Sequence, residues 1–240
     1  MKNPDMPLLF AHRGVVTGKY PENSREAIEQ AKKAGFRALE IDIRKTADNR
    51  LILFHDAEAR RLLGIDTVIS AIPLDEIMKH TLLINKDTTA SKVILLDDML
   101  KQYKGDFIFY FDMKLGGLAD IDHLVRVIWS HDVARKVIVA SPSVAVILYI
   151  EYQYPAIQTA MEGFNSGNEW SWYLIPQKLK PDFLSGFAQK VDQKHIDWLK
   201  KNELLNNRIV YGVDSTNYQQ MVNYGIKNMI IDYWPGLQVQ

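Results

Sequence analysis

Acidic and imidazole side chains, which suit metal binding and proton transfer, stand at the ends of apolar runs early in the chain. His12 follows one such run and His55 follows another. Between them, Glu40 and Asp42 alternate with aliphatic residues, and a strand places residues two apart on one face. Carboxylates favour a hard cation and imidazole titrates near neutral pH. This set therefore predicts metal-assisted acid–base chemistry.

A hairpin is expected to bring the second histidine back to the acids. Only residues 45–50 separate the acidic run from the run that ends at His55, which is too short for a parallel crossover. Asp48-Asn49 has the composition of a two-residue turn. With the turn there, residue 47 pairs with residue 50, and Asp42 lies opposite His55.

The rest of the chain alternates strand and helix patterns. We predict strands at 107–114, 137–140, 157–161, 182–185, 209–213 and 229–232, and helices at about 23–34, 119–131, 144–152, 192–201 and 217–224. Such alternation is typical of a parallel sheet, and the strand patterns without the hairpin arm number eight. The sequence therefore predicts an α/β fold, a (β/α)₈ TIM barrel.

The strand at 107–114 separates an apolar face from a mixed one. Phe107, Phe109 and Phe111 are expected to lie under the helices, whereas Asp112 and Lys114 point into the barrel. Barrel enzymes place their sites at the carboxyl ends of the strands. The side chains expected to meet at that end are His12, Arg13, Glu40, Asp42, His55, Asp112, Lys114 and Asp232.

Five spaced motifs resemble the N-terminal signature of the glycerophosphodiester phosphodiesterase family. They are His12-Arg13-Gly14, Pro21-Glu22-Asn23-Ser24, Glu40 with Asp42, Thr46 with Asp48, and His55-Asp56. The resemblance implies one catalytic barrel domain over residues 1–240, with a small, mostly helical insertion at about 56–105. It also implies metal-dependent hydrolysis of glycerophosphodiesters to glycerol 3-phosphate and an alcohol.

Residue roles follow from the same resemblance. His12 is implied as the base and His55 as the acid, although the residues themselves leave the two roles open. The implied metal ligands are Glu40, Asp42 and Asp112, where Asp112 replaces a family glutamate and is one methylene shorter.

Charged and pocket-lining candidates complete the predicted site. Arg13 and Lys114 are expected to bind the substrate phosphate, because guanidinium grips two oxygens and lysine acts as a point charge. Further candidates for the pocket are Glu22, Asn23, Glu162 and Trp234. Asn23 is explained equally well as a helix N-cap.

Composition excludes several other classes of protein. The 29 basic and 29 acidic residues give zero net charge, which argues against a nucleic-acid surface. The absence of cysteine excludes disulfides and thiol catalysis. No apolar stretch is long enough to span a membrane and no signal-peptide pattern is present. We expect a cytoplasmic location if the chain is native full length, or a periplasmic or secreted one if a signal peptide was removed.

The expected partners are a small-molecule glycerophosphodiester and one divalent cation, Mg²⁺ or Ca²⁺, with no obligate protein partner. Two alternatives remain open. In the first, the barrel binds a phosphorylated ligand with weak turnover or none, because Asp112 is shortened and Tyr211-Gly212-Val213-Asp214 departs from the family's Trp-Thr-Val-Asn. In the second, it cleaves a lysophospholipid head group, which requires an apolar groove.

Overall fold

The structure of the protein, a computed structural model, describes residues 7–239. Its strands are β1 Leu8–His12, β2 Ala38–Lys45, β3 Leu51–Leu53, β4 Leu83–Ile84, β5 Asp87–Thr88, β6 Ile108–Met113, β7 Val137–Ser141, β8 Gln158–Met161, β9 Phe183–Phe187, β10 Arg208–Val213 and β11 Asn228–Ile231. Its helices are α1 Arg25–Lys33, α2 Arg60–Leu63, α3 Leu74–Ile77, α4 Leu96–Tyr103, α5 Leu118–Ser130, α6 Val144–Gln153, α7 Gln193–Lys201 and α8 Tyr218–Asn223. Short 3₁₀ turns lie at Ile69–Ala71, Ala134–Lys136, Glu169–Leu174, Gln177–Leu179, Ala188–Lys190 and Leu205–Asn207.

Parallel strands close into a barrel, which confirms the predicted fold. The nine-stranded sheet runs β1-β11-β10-β9-β8-β7-β6-β2-β3, and β1 also pairs with β2. Every pairing in it is parallel except that of β2 with β3, so β3 is an antiparallel arm outside the closed barrel. None of the helices among the described residues is long and apolar enough to cross a bilayer.

Each barrel strand packs one face inward and the other under the helices. Phe109 and Phe111 lie in the large outer core together with Ile121 and Leu124 of α5. Tyr110 instead joins a smaller cluster inside the barrel. The predicted division of the β6 strand into an outer aromatic face and an inner mixed face is therefore confirmed.

Helix α1 begins and ends where local chemistry favours it. The Ser24 hydroxyl caps the helix by accepting a hydrogen bond from the Ala27 N–H at 3.1 Å. Glu26 lies in the first turn and Lys32 and Lys33 in the last, which complements the helix dipole. Gly35 follows with a φ of +91°, a conformation that stops the helix. The helix therefore begins at a fixed residue, directly after the loop that follows β1.

The register predicted for the hairpin is wrong by one residue. Ile43 pairs with Leu53 and Lys45 with Leu51, and the Phe54 N–H donates to the Asp42 carbonyl at 3.0 Å. The loop has three residues instead of two, because Asn49 takes the left-handed conformation with a φ of 60°. Phe54 therefore lies opposite Asp42, and His55 follows just beyond the pair.

Residues 56–95 form a satellite beside the barrel with less helix than the sequence predicts. Gly64 ends α2 after one turn with a φ of +70°, and Pro73 precedes the single turn of α3. The segment buries its own cluster against Ile52 and Phe54 of the hairpin arm. Helix α4 lies within the predicted bounds of 56–105 but packs on the main core. The identification of 56–105 as a family insertion stays a prediction.

Candidate active site

Strand register alone brings the acids and one histidine together. His12 at the end of β1 pairs with Glu40 in β2. In turn, Glu40 pairs with Tyr110 in β6, and Asp42 pairs with Asp112. Neighbouring strands lie roughly 4.8 Å apart, so these side chains meet at the carboxyl ends of β1, β2 and β6. This is the end of the barrel where the sequence predicted the site.

Three carboxylates form a group that fits a hard cation. Ligand atoms of Glu40, Asp42 and Asp112 all lie within 4.8 Å of one another. Glu40 is 3% exposed and Asp42 is fully buried. Among the described residues, Oδ1 of Asp42 and Oδ1 of Asp112 are buried and accept no hydrogen bond. Buried oxygens without a hydrogen bond are costly, and an oxygen-binding cation would satisfy them.

Electrostatics in this cluster favour a bound positive charge. Burial raises the pKa of Glu40 well above its usual value, and the neighbouring Asp42 and Asp112 carboxylates raise it further. Burial also raises the pKa of Asp112, which the Lys114 ammonium only partly offsets. The pKa values rise because three negative charges share a poorly solvated space. A divalent cation would stabilise the ionised forms.

Two cationic side chains already contact the acids. Nε of Arg13 lies 3.0 Å from Oδ2 of Asp42. The Lys114 ammonium forms an ion pair with Asp112 and lies 3.4 Å from Oδ1 of Asp42. Burial lowers the pKa of Lys114, but the carboxylates of Asp112 and Asp42 outweigh it and the net pKa is raised. The pKa of Arg13 is raised as well, so both side chains stay charged beside the carboxylates.

The loop after β1 is held in a strained conformation. Arg13 has a φ of 56°, which is rare for a residue with a side chain. Gly14 has a φ of +88°, and a Cβ there would lie 2.7 Å from the Ala27 carbonyl carbon. Only glycine fits this position. The His-Arg-Gly sequence thus turns the chain sharply against α1 while the arginine reaches the acids.

Both candidate histidines place Nδ1 on a carboxylate. Nδ1 of His12 lies 2.7 Å from Oδ1 of Asp232. Nδ1 of His55 lies 2.7 Å from Oδ1 of Asp56. A carboxylate accepts a proton-bearing nitrogen, so this geometry assigns the proton to Nδ1 and leaves Nε2 for exchange with a ligand. On the Nε2 side, His12 lies 3.9 Å from Oε2 of Glu40.

Asn23, in the Pro-Glu-Asn-Ser segment, has a role that neither sequence interpretation predicted. The Asn23 side-chain amide donates to Oδ2 of Asp42 at 2.8 Å and accepts from the Asp42 N–H at 3.2 Å. The helix N-cap is Ser24 instead, so the N-cap interpretation of Asn23 is wrong. Glu22 accepts from Nη1 of Arg13 at 3.1 Å and so orients that guanidinium.

A cavity of about 340 Å³ contains most of the predicted side chains. Glu162 lies in it, accepts a hydrogen bond from the Tyr110 hydroxyl at 2.9 Å, and has its pKa raised to about 7 by burial and by Asp112. Trp234 does not line the cavity as the structure describes it; its ring packs on Tyr218 instead, with centroids 5.6 Å apart. The cavity is lined by His12, Arg13, Glu40, His55, Tyr110, Asp112, Lys114, Glu162, Phe187, Tyr211, Gly212 and Ile230.

A larger groove lies beside this cavity. Its volume is about 1160 Å³, and it runs between the loop after β1 and the satellite segment. Its apolar lining comes from Val16, Pro21, Leu62, Leu83 and Ile84. Glu22 and Asp56, which pair with Arg13 and His55, also line the groove, so one end of the groove lies next to the cavity.

Sequence reasoning missed several side chains that support the site. Arg44 donates from Nε to the His55 carbonyl at 2.8 Å and so holds the end of the hairpin arm. Arg61 binds Asp56 and Glu22 from outside the cavity. The adjacent Arg60 and Arg61 look alike in sequence, and only the fold selects one. Phe187 and Tyr211 form aromatic walls of the cavity, with ring centroids 4.4 Å apart. The sequence drew attention only to Tyr211, through its place in the altered seventh-strand motif.

Comparison with solved structures supports the fold. A phosphodiesterase from Oleispira antarctica, solved with its product sn-glycerol-3-phosphate, superimposes with a TM-score of 0.82 at 20% identity, over 95% of this chain and 94% of that one. A glycerophosphoryl diester phosphodiesterase from Silicibacter pomeroyi, described as putative, superimposes with a TM-score of 0.81 at 17% identity, over 98% and 92% of the two chains. At these identities the likeness establishes the barrel architecture.

Sequence comparison identifies the family. A glycerophosphodiester phosphodiesterase of Bacillus altitudinis is 29% identical over 115 residues, which cover 45% of this chain and 46% of that protein. The match thus spans about half the length of this curated relative. The model of the glycerophosphoryl diester phosphodiesterase family matches residues 12–234. Because that match takes in both histidines, the three acids and every barrel strand from the end of β1 onward, the chain belongs to the glycerophosphoryl diester phosphodiesterase family.

Proposed function

We propose that this protein hydrolyses glycerophosphodiesters to glycerol 3-phosphate and an alcohol, with the help of one divalent cation. The observation that carries the proposal is a group of three carboxylates, two of which have a buried oxygen that accepts no hydrogen bond, beside a cavity that both histidines line. Family membership supports the same activity. Mg²⁺ or Ca²⁺ suits the all-oxygen donor set.

Charge balance around the acids supports a phosphodiester ligand. The ionised carboxylates of Glu40, Asp42 and Asp112 carry three negative charges, and Arg13 and Lys114 offset two of them. A divalent cation and a phosphodiester monoanion would together bring these side chains and ligands to neutrality. Without the cation, a phosphodiester would add negative charge to an already negative cluster.

Each group in the cavity has a role in the proposed chemistry. A bound cation would polarise the phosphoryl oxygens and offset the charge that grows on them. Arg13 and Lys114 orient the phosphate and stabilise the same charge by hydrogen bonds. The Asn23 side chain bonds to both the carboxylate and the backbone N–H of Asp42, and so keeps this metal ligand in place.

Proton transfer is assigned to the two histidines. His12 accepts the proton of the glycerol 2-hydroxyl, whose oxygen forms a bond to phosphorus, while the bond to the departing alcohol breaks and His55 protonates that oxygen. Water then opens the resulting cyclic phosphate: His55 accepts a proton from the water, and His12 returns one to the 2-oxygen. Both rings end in their starting protonation states.

Turnover with and without metal tests the proposal. Purified protein should release glycerol 3-phosphate from glycerophosphocholine or glycerophosphoinositol when Mg²⁺ or Ca²⁺ is present. EDTA and His12→Ala should each abolish that release. Retention of bound ligand without any product would instead support a barrel that binds a phosphorylated compound and does not cleave it.

The apolar groove favours one second candidate, a phosphodiesterase acting on lysophospholipid head groups. Val16, Leu83 and Ile84 give the groove an apolar wall next to the partners of His55 and Arg13. An acyl chain attached to the glycerol requires such a surface. Release of choline from lysophosphatidylcholine but not from glycerophosphocholine would support this candidate over the first.

A further inference from the structure

One arginine outside the cavity connects two of its functional side chains. Arg61 of α2 donates from Nε to Oδ2 of Asp56 at 2.6 Å and from Nη2 to Oδ1 of Asp56 at 2.9 Å. Its Nη1 and Nη2 also donate to the two oxygens of Glu22, both at 2.8 Å. A planar guanidinium therefore grips two carboxylates at once, each through two hydrogen bonds.

Each of these carboxylates has a second partner inside the cavity. Oδ1 of Asp56 lies 2.7 Å from Nδ1 of His55. Oε1 of Glu22 accepts from Nη1 of Arg13 at 3.1 Å. Arg61 itself does not line the cavity as the structure describes it. Arg61 therefore contacts Asp56 and Glu22 on the side away from the cavity, and these two carboxylates hold His55 and Arg13.

Neither carboxylate is well fixed without this arginine. Hydrogen bonding from Arg61 is the largest influence that lowers the pKa of Asp56, to about 2, so that the group stays an ionised acceptor for His55. Glu22 is only 13% exposed, and its burial raises its pKa, but Arg61 and Arg13 outweigh this effect and the net pKa is lowered. Outer partners that orient metal ligands typically contribute about 10- to 100-fold to affinity or activity, and we take the same size of effect for these two side chains.

We infer that Arg61 is a positioning residue, which fixes the ring of His55 through Asp56 and the guanidinium of Arg13 through Glu22. The inference rests on the proposed function, in which those two side chains act on the phosphodiester. It also gives the satellite segment a purpose, because α2 delivers the arginine to the edge of the site. A purely structural role, fastening the satellite to the barrel, is the alternative to be separated.

A neighbouring arginine provides a matched control. Arg60 belongs to the same helix turn and pairs with Asp66, so its ion pair stays within the satellite. Arg60→Ala removes the same kind of side chain from the same segment without touching Asp56 or Glu22. Arg60→Ala therefore measures what the removal of an arginine from α2 does by itself, and the comparison of two substrates separates positioning from fastening.

Kinetics on two substrates separate positioning from structure. We expect Arg61→Ala to lower kcat for glycerophosphocholine about 10- to 100-fold, with a smaller loss for the nitrophenyl ester of glycerol 3-phosphate, whose leaving group needs no acid. Loss of the Glu22 branch should also raise KM for both substrates. Arg60→Ala should keep wild-type constants. Equal losses of kcat on both substrates, equal losses in both variants, or wild-type kcat in Arg61→Ala would each overturn the inference.

A conservative variant and a spectroscopic readout keep the test decisive. Should Arg61→Ala fail to fold, Arg61→Lys keeps the charge but cannot grip two carboxylates, and it should show the same substrate-dependent loss, several-fold in size; wild-type rates would overturn the inference. Nitrogen-15 NMR at alkaline pH, where the imidazole is neutral, should show the His55 ring proton fixed on Nδ1 in the wild type and a mixture of tautomers in Arg61→Ala. An unchanged ring spectrum would overturn the inference whether or not the protein is active. A wild-type protein without phosphodiesterase activity would reject the proposed function alone.

Discussion

Replacing Glu162 by Gln should stabilise the metal-free protein at pH 8 far more than at pH 5. Burial, with the nearby Asp112 carboxylate, raises the pKa of Glu162 from 4.5 to about 7. A carboxyl whose pKa is raised in the folded state contributes stability below its unfolded value of 4.5, and that contribution is lost as the pH rises through 7. Gln carries no charge and avoids the loss.

The magnitude follows from the same pKa. At about 1.4 kcal/mol for each pKa unit, ionised Glu162 costs the folded protein about 3 kcal/mol at pH 8 and about 1 kcal/mol or less at pH 5. The Tyr110 hydroxyl donates to Oε1 of Glu162 at 2.9 Å, and the Gln amide oxygen can accept the same bond. Packing and hydrogen bonding are therefore preserved, and charge is the main change.

Urea unfolding in EDTA at pH 5 and pH 8 measures the effect. The free energy of unfolding of Glu162→Gln relative to wild type should rise by roughly 2–3 kcal/mol between the two pH values. Glu58→Gln is the control, because Glu58 is an exposed acid on the satellite segment. A difference between Glu162→Gln and wild type that is the same at both pH values would refute the reasoning.

Three further predictions concern the ligands, the acid and a helix cap. Glu40→Gln should abolish Mg²⁺ binding by titration calorimetry without lowering the melting temperature, because the amide oxygen still accepts from the Arg13 N–H; binding at wild-type affinity would remove Glu40 from the ligand set. His55→Ala should lower kcat about 10²–10⁴-fold, and less for a nitrophenyl leaving group; equal losses on both substrates would count against an acid role. Ser24→Ala should cost about 1 kcal/mol in urea unfolding, since it removes the bond to the Ala27 N–H; unchanged stability would show that the cap is dispensable.

The barrel and the acid cluster were predictable because side-chain alternation carries that information. In β6, alternation separates Phe109 and Phe111 from Asp112, and the structure has the same division between outer core and cavity. In β2, Glu40 and Asp42 share a face for the same reason. Parallel strands then place their carboxyl ends side by side, so convergence follows from the fold class.

Other features depend on backbone conformations and contacts that residue patterns do not reveal. The hairpin register differs from the predicted one by one residue, because Asn49 adopts a positive φ and lengthens the loop. Asn23 and Ser24 are both common N-caps, and the contact of Asn23 with Asp42 across 19 residues decided between them. Arg60 and Arg61 are adjacent in α2, and the helical rotation of about 100° per residue points their side chains in different directions.

Anomalous diffraction from a crystal grown with Mn²⁺ and glycerol 3-phosphate tests the central claim most directly, with Mn²⁺ standing in for Mg²⁺ or Ca²⁺. The account predicts one strong peak at roughly 2–2.6 Å from oxygens of Glu40, Asp42 and Asp112, with the phosphate beside it, against Arg13 and Lys114 and between His12 and His55. A cation bound elsewhere, or a phosphate that contacts neither histidine, would contradict it.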